Sequence, residues 1–144
     1  MSSWRVMRTL TLAIAVLTLG ACGTPPPPPT PSPSPTVNLA TRPSSPVRIR
    51  IVSPADQAQI PAGVIHVGIA VDGGIIVKQT TTHITPTEGH VHFSVNGKLI
   101  SMNYGTAQDV PLQKGLYILT AEFVAADHIP FNPRVTTSIT VDVT

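Results

Sequence analysis

Of the five histidines in this chain, His90, His92 and His128 stand where their side chains can cooperate. His90 and His92 are two apart in Gly89-His90-Val91-His92-Phe93. On a β-strand that spacing sends both imidazoles from one face as outward neighbours, while Val91 and Phe93 enter the core. His128 lies downstream in Ala126-Asp127-His128-Ile129-Pro130, a loop expected at the same end of a two-sheet fold as the segment before His90, so that His128 can approach His90. Two or three imidazoles, with His83 and Glu88 in the preceding segment as optional neighbours, are the material of a zinc, copper(II) or nickel site. The bland alternative is a solvated strand face. His66 lies alone, opposite in phase to Val67, and is expected to be structural; His83, among Thr80-Thr81-Thr82 and Thr85-Pro86-Thr87, is expected to be plain loop. Met1, Met7 and Met102 form no cluster, which argues against a thioether site for copper(I).

Catalytic patterns are missing from the sequence. It has no Gly-x-Ser-x-Gly elbow, no glycine-rich phosphate loop and no His-Glu-x-x-His pair. Its seven acidic residues are too scattered to nominate a glycosidase pair. The expectation is a binding protein and not an enzyme.

The elements that must position the histidines are strands. Val47 to Ile51 alternates apolar and charged residues, Val64 to Val71 forms a second run, and Ile75 to Thr81 is expected to be a short strand. Val91, Phe93 and Val95 alternate with His90, His92 and Ser94, and Asn96-Gly97 is a strong hairpin signal before Lys98 to Met102. Tyr117 to Phe123 and Val135 to Val143 complete the set. About seven short strands punctuated by Gly, Pro, Asn and Asp predict an all-β, antiparallel β-sandwich over residues 47–144.

Three segments make this region resemble the immunoglobulin-like domains of bacterial surface proteins. They are Ser53-Pro54-Ala55-Asp56 with Ala62-Gly63-Val64, then Val91-x-Phe93-x-Val95-Asn96-Gly97-Lys98, then Gly115-x-Tyr117-x-Leu119-x-Ala121. The resemblance implies a core aromatic at Phe93 and a tyrosine corner at Tyr117. More narrowly, Gly89-His90-Val91-His92-Phe93 followed by Ala126-Asp127-His128-Ile129-Pro130 and Asn132-Pro133-x-Val135 resembles domain-of-unknown-function family 4399. That family is extracytoplasmic and has a histidine-rich strand, with another histidine often standing where this chain has Val91.

The start of the chain supplies an address. Arg5 and Arg8 precede an apolar run, Leu10 to Leu19, too short to span a bilayer of about 30 Å as a helix. Leu19-Gly20-Ala21-Cys22 then resembles the processing motif of bacterial lipoproteins, and Cys22 is the only cysteine. That resemblance implies a signal peptide over residues 1–21, diacylglycerol on Cys22 and a protein anchored on the extracytoplasmic face of a cell membrane. From Gly23 to Pro46 the chain is mostly Pro, Ser and Thr, with too little apolar surface to fold, so residues 22–46 are expected to form the lipidated end and its linker. In polyproline II form that linker reaches up to roughly 70 Å. Once Arg5 and Arg8 are removed, seven basic residues face seven acidic ones, which removes the electrostatic argument for nucleic acid as a partner. The expected protein is a lipid-anchored, non-enzymatic binding or accessory module of the cell envelope, with the membrane and either an envelope protein or a metal ion as candidate partners; the alternative is an extracytoplasmic zinc or copper(II) protein using His90, His92 and His128.

Overall fold

Period-two alternation builds both sheets of this protein, because each strand turns its apolar residues to one side. The computed structural model describes residues 38–144; residues 1–21, Cys22 and the linker as far as residue 37 lie outside them. The strands are β1 (Arg48–Ser53), β2 (Ala58–Ile60), β3 (Gly63–Asp72), β4 (Ile75–Ile76), β5 (Glu88–Val95), β6 (Lys98–Asn103), β7 (Ala107–Leu112), β8 (Gly115–Ala125) and β9 (Pro130–Val143). Among the described residues the one helical element is a 3-10 turn, Leu39–Thr41. No described helix is long and apolar enough to cross a membrane.

One sheet has the order β1-β3-β7 and the other β2-β9-β8-β5-β4, with β6 also paired to β5. The two sheets form a sandwich whose chain order follows the immunoglobulin pattern, first, second and fifth main strands on one side and the remainder on the other. Val91, Phe93, Leu119, Ala121, Phe123 and Val141 are wholly buried between the sheets. Phe123 stacks on Phe131 with ring centroids 5.8 Å apart. The expected inward phase of Val91 and Phe93 is therefore observed. So is the Asn96-Gly97 hairpin, whose positive φ values of 50° and 77° are those of the two-residue turn that joins β5 to β6.

The structure departs from the sequence reading in several places. There are nine described strands instead of about seven. β7 was hidden by Pro111, which is tolerated because β7 is an edge strand. Two pairings, β2 with β9 and β4 with β5, are parallel and not antiparallel. The strand expected over residues 75–81 ends at Ile76: Val77 N–H still reaches the Gly89 carbonyl, and the chain then leaves the sheet so that Thr81 N–H can bond the Ala126 carbonyl. Tyr117 is half-buried against the core. Among the described residues its hydroxyl makes no hydrogen bond, so the expected tyrosine corner is not formed.

Candidate functional site

β5 carries His90 and His92 on the face opposite Val91 and Phe93, with Val124 and Glu122 of β8 directly across from them. The start of β5 lies unusually close to β8. A Cβ on Gly89 would stand 1.9 Å from the Val124 carbonyl oxygen, so only glycine fits there. His90, next along the strand, is fully buried and not the solvent-facing neighbour of His92 that alternation alone suggested. Alternation assigns a face; it does not say what roofs that face. Here the roof is Tyr104, packed edge-on at 4.9 Å between ring centroids, and His128, stacked at 4.2 Å with ring planes 17° apart.

His128 reaches this position through the turn from β8 to β9. His128 N–H donates to the Ala125 carbonyl and Ala125 N–H to the Ile129 carbonyl, which closes a three-residue loop. Such loops put their last residue in the left-handed region, where glycine or asparagine is usual. His128 occupies it with φ of 64°. The imidazole is thus held in a backbone conformation that costs free energy, an arrangement most often met where the side chain has a task.

The sequence-based expectation that His90, His92 and His128 come together is met in space. His92 Nε2 and His128 Nδ1 are 3.2 Å apart, and their rings lie at 5.5 Å between centroids. His128 Nε2 is 2.9 Å from Thr80 Oγ1. His90 Nε2 donates to the Ala126 carbonyl at 3.1 Å, because a carbonyl only accepts, and this leaves Nδ1 of the neutral ring as an acceptor. That Nδ1 is buried without a partner. His128 therefore has Nε2 beside Thr80 and Nδ1 beside His92, while His90 has Nε2 fixed by the Ala126 carbonyl and Nδ1 buried. Among the described residues no three His, Cys, Asp or Glu side chains already surround a common point at metal-bonding distance. The ring planes of His90 and His128 are nearly parallel and a ring nitrogen binds metal in the plane of its ring, so full closure on one ion requires a ring to turn.

Electrostatics favour the neutral forms of His92 and His128. Burial holds His92 below the ordinary 6.5, and the adjacent His128 lowers it further against an opposing pull from Glu122. His128 is also lowered, by desolvation first and by His90 second. Glu122 itself is buried and gripped by Arg134, whose Nε donates to Oε1 at 2.6 Å and whose Nη2 donates to Oε2. The hydrogen bond to Glu122 raises the Arg134 guanidinium above its usual value.

His83 and Glu88 are not drawn into the cluster: the His83 amide bonds Thr81 Oγ1, and Glu88 accepts from Thr85. His66 is exposed and pairs across the sheet with Asp109, Nδ1 to Oδ1 2.6 Å. Sequence reasoning missed Tyr104, Thr80 and Glu122. Only Glu122 left a usable signal, since it shares the outward phase of Ile118 and Thr120 on the strand expected to pair with β5.

No family model matches the chain, and no curated protein matches it. Among solved structures, the crystal structure of an engineered protein is similar at 17% identity with a TM-score of 0.42, over 68% of this chain and 20% of that one. The chain spans about a fifth of that protein's length, and a likeness at this level bears on no function.

Proposed function

We propose that this protein is a non-enzymatic binding module of the bacterial cell envelope, anchored through diacylglycerol on Cys22, and that it binds zinc or copper(II) at His90, His92 and His128. The observation that carries the reading is the 3.2 Å separation of His92 Nε2 and His128 Nδ1. Two nitrogens each about 2.05 Å from one ion at a tetrahedral angle stand about 3.3 Å apart. The nitrogens thus already have the spacing of two ligands of one ion, which would stand off the line that joins them once the rings tilt to aim their lone pairs at it. His90 Nδ1, buried and unpartnered, is the third donor, and binding would relieve its missing hydrogen bond. Thr80 and the Ala126 carbonyl would act as the outer partners that fix the ligand nitrogens.

Titration calorimetry with zinc tests this on the full chain in detergent. One-to-one binding is expected, weakened strongly by His90→Ala, His92→Ala or His128→Ala and unchanged by His66→Ala. Equal, weak, multi-site binding in all of them would remove the metal reading. The module would then be read as docking an envelope protein, for which the exposed Leu99, Ile100 and Met102 on edge strand β6 are the supporting observation.

A further inference from the structure

The loop that carries His128 is gripped from a distant part of the chain. Arg42 lies in the segment that composition assigns to the linker, yet its side chain is only 12% exposed. Its Nη1 and Nη2 donate to the two carboxylate oxygens of Asp127 at 2.7 and 2.8 Å. The same guanidinium donates through Nη2 to the Ile129 carbonyl and through Nε to the Pro130 carbonyl. Asp127 Oδ1 also accepts from Ile129 N–H, and Asn132 N–H donates to the Pro43 carbonyl. Every residue from Asp127 to Pro130 except His128 is thus tied directly to Arg42, and His128 is the one in the costly left-handed conformation.

We propose that Arg42 is a positioning residue for the histidine site: its forked grip on Asp127, Ile129 and Pro130 holds His128 over His90 and against His92. The inference rests on the metal reading for its functional consequence, and its geometric part stands apart from it. A planar guanidinium is suited to this, since it presents several donors in one rigid plane, whereas an ammonium is a single point. Arg42, which composition assigns to the linker, is therefore part of the binding site's framework.

The test uses the full chain in detergent with Arg42→Ala, Arg42→Lys and Asp127→Asn, and Arg50→Ala as a control that removes an equal charge from the exposed pair with Asp72. Two quantities are read: the metal-free ring proton shifts of His90, His92 and His128, and the affinity for zinc. Arg42→Ala and Asp127→Asn are expected to move the His128 ring shifts toward those of free imidazole and to lower zinc affinity about 10–100-fold, as loss of an outer partner does. Arg42→Lys should recover only a minor part of either, and Arg50→Ala should change neither. A variant that melts lower but keeps its ring shifts, or one whose shifts move while zinc affinity holds, would overturn the proposal. Where Arg42→Ala does not fold, Asp127→Asn and Arg42→Lys decide by the same readings. If the wild-type chain fails to bind zinc, the metal reading falls, and the ring shifts alone decide whether Arg42 positions His128.

Discussion

Replacing His128 by glycine and by alanine separates what its backbone costs from what its ring contributes. Both substitutions remove the same imidazole, and with it the stack on His90 and the contacts to Thr80 and His92. The stack and each of the two hydrogen bonds are worth about 0.5–1.5 kcal/mol, so His128→Ala should cost about 1.5–4.5 kcal/mol. Alanine keeps the penalty of holding a side chain at φ of 64°, whereas glycine has none. That penalty is about 1–2 kcal/mol per residue. His128→Gly is therefore expected to be about 1 kcal/mol more stable than His128→Ala, and both should lose zinc binding. Urea unfolding of the two variants, read as a difference in midpoint at equal slope, measures it. Equal stability, or an advantage for alanine, would refute the argument that His128 is held in a strained position for the sake of its ring.

Four further outcomes are expected. Phe93→Ala should cost about 3–5 kcal/mol by chemical denaturation, since Phe93 is wholly buried between the sheets; a loss below about 1 kcal/mol would reverse the phase assigned to β5. Gly89→Ala should cost at least the upper part of the about 1–3 kcal/mol typical of overpacking, because the obstacle is the Val124 carbonyl and not a movable side chain, and it should shift the ring resonances of His90; a neutral substitution would contradict the close approach of β5 to β8. His92 and His128 take up protons less readily folded than unfolded, so their contribution to stability is present above the ordinary 6.5 and is lost as pH falls below it. Urea midpoints should drop from pH 7 to pH 5, less steeply in the His92→Ala/His128→Ala double variant, and identical slopes would contradict the assignment. Cys22→Ser should leave the precursor unprocessed and without lipid, seen by intact mass and detergent phase partitioning, and a mass change equal to the substitution alone would remove the proposed anchor.

How much of this was legible in the sequence varies along the chain and has physical reasons. The phase of β5 was readable because Val91, Phe93 and Val95 alternate without a break, and Asn96-Gly97 fixed the turn that follows. β7 was not, because Pro111 interrupts its pattern and its edge position, which excuses the proline, is known only from the fold. The convergence of His128 with His90 and His92 followed from the expected neighbourhood of β5 and β8. The burial of His90 did not, since it depends on the rings of Tyr104 and His128 that cover it, and such a roof leaves no periodic trace. Arg42 is the extreme case. Its surroundings of Pro, Ser and Thr read as linker, and its partners lie 85 to 88 residues away in sequence.

X-ray absorption on the zinc-loaded full chain bears most directly on the claim that three imidazoles hold one ion. The account predicts nitrogen ligands at about 2.0–2.1 Å with outer scattering from three imidazole rings, falling to two in His90→Ala. A spectrum without imidazole scattering, or one unchanged in the His90→Ala/His92→Ala/His128→Ala variant, would contradict it.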